Sequence, residues 1–147
     1  RGQLKKVGIT VEVRTSADFP SWAKRMATHD FDLSMDLVFN WGDPVIGVAR
    51  TYLSTNIKPI VWTNTQSYNN PKVDELFKAG QLEFDREKRA AIYAQIHEIL
   101  WEDQPALWLF HRKTLHGVNK RLRGLNFSPR DPFGVQPGFY GLWVPKD

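Results

Sequence analysis

The sequence predicts an α/β domain, and three observations predict it. Two early stretches alternate apolar and polar residues with period two, the signature of half-buried strands. Two later stretches carry apolar residues at helical spacing behind recognisable N-caps. A short apolar run follows the second of these, so the order reads β-α-β-loop-α-α-β, the pattern of layered α/β folds.

Each element has a local reason. Leu4-Lys5-Lys6-Val7-Gly8 reads as the last turn of a helix with a left-handed glycine cap, its lysines suited to the negative end of the helix dipole. The body of that helix is missing ahead of it, so the expectation is an αβ junction cut from a longer chain. Val7, Ile9, Val11 and Val13 then alternate with Gly8, Thr10, Glu12 and Arg14 as a strand with one polar face. Asp18 or Ser16 caps a short helix entered through Pro20, with Phe19, Trp22, Ala23 and Met26 on one stripe. Phe31, Leu33, Met35, Leu37 and Phe39 alternate with Asp32, Ser34 and Asp36 as a second strand, which ends at Asn40-Trp41-Gly42-Asp43-Pro44. Residues 45–53 read as a short helix and 56–67 as a loop. Asn70 is an N-cap, Pro71 opens a helix, Asp74 and Glu75 sit in its first turn, and Val73, Leu76, Phe77 and Gly80 form its buried stripe. A second helix begins after Asp85 and runs to about Asp103, with Ile92, Ile96, Ile99 and Leu100 as its apolar face. Pro105 then opens an apolar strand at 106–110, and Pro129, Pro132 and Pro137 break up the tail.

Composition narrows the chemistry. With 147 residues, 41% of them apolar, the chain can close one core and is not disordered in character. The lack of cysteine excludes a disulfide scaffold, a Cys-ligated zinc or iron–sulfur site and a thiol nucleophile. No apolar run reaches the roughly 18–20 residues that a membrane-spanning helix needs. The net charge of +4 is mild, but residues 111–130 hold six Lys or Arg and no acid. Two readings follow for that stretch: a solvated surface, or a basic nucleic-acid-binding module at 112–130. No nucleic-acid motif accompanies it, and the first reading is preferred.

Catalytic constellations are absent. His97-Glu98 lacks a second His four residues on, where Trp101 stands, so it is not a zinc helix. His111 and His116, five apart on an extended stretch, point to opposite faces. Asp30, Asp32 and Asp36 could hold a cation, or could line the outward face of a strand, which is the commoner arrangement. There is no phosphate loop and no nucleophile elbow. No catalytic residue, metal or cofactor is therefore assigned. Of the tryptophans, Trp22, Trp101 and Trp108 fit core-facing positions, whereas Trp41 and Trp62 fall where regular structure ends, positions suited either to walling a ligand or to plugging a loop.

Tyr68-Asn69-Asn70-Pro71-Lys72-Val73-Asp74-Glu75-Leu76 resembles a stretch typical of the family 5 extracellular solute-binding proteins of ABC transporters, the dipeptide- and oligopeptide-binding type. Other matches follow in order: Glu83-x-Asp85 with Arg89 and Tyr93, then Ile99 through Pro105, then Arg121-Leu122-Arg123-Gly124-Leu125. The resemblance implies a class II-like, two-lobed periplasmic-binding-protein fold, a mixed sheet flanked by helices. Residues 1–125 would belong to its C-terminal (second) lobe, and 126–147 form a tail that could return to the first. It further implies a non-enzymatic receptor, periplasmic or extracellular, that captures a peptide-like or other small polar solute and delivers it to a membrane permease. Such a receptor would be a monomer, with no nucleic-acid partner and no cofactor. In the peptide binders an Asp three residues before the acid-Pro pair takes the ligand's ammonium; here that position is Asn40, a neutral amide that cannot balance the charge. Ligands of α/β sheets gather beyond the carboxyl ends of strands, so Phe39, Asn40, Trp41 and Asp43 are the ligand-binding candidates.

Overall fold

Asn70 starts a helical hairpin by accepting a hydrogen bond from the Lys72 amide at 3.0 Å, while Pro71 occupies a position whose missing N–H costs nothing. The computed structural model describes residues 1–38, 42–110, 117–124 and 143–145. Its elements are α1 (Gly2–Lys5), α2 (Phe19–Ala27), α3 (Ala49–Tyr52), a 3-10 turn (Ser54–Asn56), α4 (Pro71–Leu82) and α5 (Arg86–Asp103).

α4 and α5 form an antiparallel hairpin. Asp85 caps α5 by accepting from the amides of Glu87 and Lys88, and Gly80 lets the two helices approach closely. A Cβ at Gly80 would stand 3.0 Å from the Tyr93 ring, so a larger residue there must displace the tyrosine. Val73, Leu76 and Phe77 of α4 meet Ile96 of α5 and Ala49 and Tyr52 of α3 in a single buried cluster. Ile92, Tyr93, Ile99 and Leu100 pack around it. The stripes read from the sequence for α4 and α5 are the faces that become buried or half-buried, whereas in the α2 stripe Met26 is buried and Phe19 is exposed.

The caps at the amino end match their sequence readings. Gly8, with φ of 85°, donates to the Lys5 carbonyl while the Ile9 amide reaches Leu4, the paired bonds that close a helix at a left-handed residue. Asp18, not Ser16, caps α2, accepting from Ser21 at 2.8 Å. α2 ends in the same way with His29 in the left-handed position: the Asp30 amide bonds Arg25 and the His29 amide bonds Met26.

Among the described residues no strand forms, and the β pairing consists of one antiparallel bridge between Arg123 and Trp143. Leu33 and Met35 of the alternating stretch are exposed, as are Leu107, Leu109 and Phe110 of the apolar run. Two core assignments need correction. Trp101 is 68% exposed and Trp108 59% exposed. Trp101 lies one residue beyond Leu100, so the 100° helical step carries it off the face that Ile96 and Leu100 bury. The Trp108 indole N–H donates to the Tyr52 hydroxyl at 3.1 Å.

Candidate ligand-binding edge

Asp43 follows the predicted carboxyl end of the second ribbon, and the fold holds it from two sides. Its carboxylate accepts the Val45 amide at 2.9 Å, which turns the chain into residues 44–48, and takes both oxygens to one Arg89 nitrogen at 2.9 Å each. Arg89 projects from the second turn of α5, donates through Nε to the Gly80 carbonyl at 3.0 Å, and lies over the Tyr93 ring. The Val45 amide first and Arg89 second keep the Asp43 carboxyl below the ordinary carboxylate range. Asp43 therefore ties the turn at residues 43–48 to the α4–α5 hairpin, with its charge matched inside the chain. Phe39, Asn40 and Trp41 lie outside the described residues.

The other sequence candidates resolve into separate roles. Asp30 pairs with Arg25 at 3.6 Å, and burial raises the Asp36 carboxyl while the Leu37 amide works against that rise. Among the described residues no group of three His, Cys, Asp or Glu could hold a metal ion. His111 and His116 lie outside the described residues. Trp62 takes a left-handed backbone, φ 59°, and brings its ring to 5.7 Å from Phe19 and 6.3 Å from Trp22. Of the two readings for Trp62, this favours the plug: the ring ties the 57–69 loop to α2. A cleft of about 110 Å³ beside α4, lined by Val45, Ala49, Leu53 and Phe77 among others, is too small for a peptide.

Sequence reasoning missed the residue that organises this loop. Asn64 is fully buried; its amide nitrogen donates to the carbonyls of Tyr52, Leu53 and Tyr68, and its side-chain oxygen accepts the Tyr68 amide. An Asn flanked by two threonines in a loop gives no sequence signal, because its partners are backbone atoms of any residue type.

The segments Tyr68–Leu76 and Ile99–Pro105 meet in space. The Tyr68 hydroxyl and the Asn70 amide both donate to Asp103 at the end of α5, closing the hairpin onto the loop. The Tyr68 phenol is pushed up to about 12, by burial first and by its bond to Asp103 second. Folding thus holds this phenol protonated above its ordinary value of 10, so its stabilising effect is complete below pH 10 and is lost as pH rises toward 12. Tyr68→Phe is expected to lower stability at neutral pH but to flatten the fall above pH 10. Urea unfolding at a series of pH values checks this, and parallel curves for the two proteins would contradict it.

The chain is 26% identical over 133 residues to the "Probable D,D-dipeptide-binding periplasmic protein DdpA" of Escherichia coli (strain K12), a match covering 88% of this chain and 25% of that protein. It is 26% identical over 139 residues to the "Oligopeptide-binding protein AppA" of Bacillus subtilis (strain 168), covering 91% and 24%. A match to "Protein XP55" of Streptomyces lividans is 33% identical, covering 82% and 21%. The chain is similar to peptide-binding periplasmic proteins. It spans about a quarter of their length. No protein-family model matches it, and no solved structure does. Among the described residues no helix is long and apolar enough to cross a membrane.

Proposed function

We propose that this chain forms part of the second lobe of a solute-binding receptor serving an ABC importer. The observation that carries the proposal is likeness to two named peptide binders across 88% and 91% of the chain. Such a receptor works outside the cytoplasmic membrane, closes two lobes on a peptide-like or other small polar solute by hinge motion, and hands the solute to a permease. In this reading residues 1–125 build a mixed sheet flanked by helices, and 126–147 run toward the first lobe. The exposed apolar run at 107–110 agrees with a strand whose sheet neighbours are contributed by the rest of the receptor. The work is capture and release, with no chemical step.

Phe39, Asn40 and Trp41 are the proposed contact residues. Asp43 has its carboxylate matched by Arg89, so in this reading it does not meet the solute's charge. Asn40 then offers one donor set and one acceptor to a neutral or zwitterionic group. In the full-length receptor, Asn40→Asp is expected to tighten binding of peptides with a free α-ammonium and to leave amino-acetylated peptides unimproved, as read by calorimetry. Affinity for free-amine peptides that is unchanged or weaker would show that position 40 is not the anchor.

A further inference from the structure

We propose that the cleft between α3 and α4 is a binding site for a small branched carboxylate, an isobutyl-sized alkyl group ending in one carboxyl group. α4 builds one wall. Asp74, Phe77, Lys78 and Gln81 follow one another at three- and four-residue steps and so share a helix face. Val45, Ala49 and Leu53 line the cleft opposite them, and the Leu53 amide closes α3 on the Ala49 carbonyl at 2.9 Å. Ala49 and Phe77 are buried, and Val45 and Leu53 half-buried, so the floor is apolar. Volume selects the guest. An apolar cavity of about 150 Å³ takes benzene. This cleft measures about 110 Å³, which suits a smaller, branched alkyl chain better than an aromatic ring.

The rim selects for charge. Asp74 lines the cleft, but both of its carboxylate oxygens are engaged: one accepts the Ser54 amide at 3.0 Å and the other the Ser54 hydroxyl. Glu75, the next residue, pairs with Lys72 at 3.7 Å. Lys78 pairs with no carboxylate among the described residues. Gln81, three residues on, adds an amide donor to the same rim. Both side chains are exposed, so a carboxylate held by them stays at the water-filled lip and keeps much of its hydration while the alkyl group covers the apolar floor. An alkylammonium meets the opposite situation: the Asp74 oxygens already accept, and Lys78 repels it. The inference uses no residue of the 39–43 edge and stands apart from the solute-receptor reading.

The test is an NMR titration of the isotopically labelled 147-residue chain with four probes: isovalerate, isovaleramide, isopentylammonium and phenylacetate. Isovalerate is expected to shift the amides of residues 45–53 and 74–81 saturably, with a dissociation constant on the order of 1 mM for so few atoms. Isovaleramide fills the same floor without the charge and should bind about fivefold more weakly, the worth of one exposed charge pair. Lys78→Gln should weaken isovalerate by the same factor and leave isovaleramide unchanged, with far-UV circular dichroism confirming that α4 and α5 persist. Phenylacetate should bind more weakly than isovalerate, and isopentylammonium should leave these amides unmoved. Equal shifts with isopentylammonium, or phenylacetate binding as tightly as isovalerate, overturn the proposal on the unaltered chain. Shifts that grow without saturating, or that fall outside residues 45–53 and 74–81, overturn it as well. Undiminished isovalerate binding by the folded Lys78→Gln variant does the same.

Discussion

Asn64→Ala is expected to destabilise the fold by about 3 kcal/mol, more than its size suggests, because the side chain is exchanged for two orphaned carbonyls and one orphaned amide. The carbonyls belong to Tyr52 and Tyr68 and the amide to Tyr68, while the Leu53 carbonyl loses one of two donors and keeps the Asn56 amide. Asn64 is fully buried, so water cannot simply take its place. Asn64→Asp should be no milder: the oxygen that accepts from Tyr68 survives, but a second oxygen then faces the carbonyls that the amide nitrogen satisfied. Urea unfolding of each variant measures this. A loss below about 1 kcal/mol would mean that the loop rearranges and that the side chain is not its organiser.

Ile96→Ala should cost roughly 2–5 kcal/mol, the range for truncating a fully buried aliphatic side chain. Ile96 is 3% exposed and sits where α3, α4 and α5 converge, against Val73 and Phe77 among others. The upper half of that range is expected, because the rigid α4–α5 contact at Gly80 and Tyr93 limits how far the helices can close over the void. Ile96→Val should lose about 1 kcal/mol. The pair of variants, compared by chemical denaturation, separates cavity formation from a general loss of helix; equal losses for both would argue that the cluster is not the core.

Local rules were the legible part of this sequence. Asn70 with Pro71, Asp85 at the start of α5, Asp18 with Pro20, and Gly8 each satisfy helix-end groups through short-range bonds, and short-range bonds can be read one residue at a time. The 3.6-residue stripe of α4 was legible for the same reason. Alternation was a weaker guide. Leu33 and Met35 hold the period-two pattern but stand exposed, because a strand is realised only against a partner and periodicity names none. Trp101 and Trp108 show that bulk and hydrophobicity do not settle burial in one step of a helix or beyond its end. At the candidate edge, Asp43 was visible as a polar residue past a ribbon. Its partner Arg89 lies 46 residues on, and nothing local joins them.

In the proposed receptor the α4–α5 hairpin braces a short polar edge on which the first lobe would close. The most direct measurement is hydrogen–deuterium exchange on the full-length protein, with and without each member of a panel of peptides, D,D-dipeptides and oligosaccharides. The account predicts that at least one solute slows exchange at residues 39–43 while leaving the α4–α5 core unchanged, and raises the melting temperature in the same samples. A panel in which solutes stabilise the protein but protect only residues elsewhere, or in which none binds at all, would contradict it.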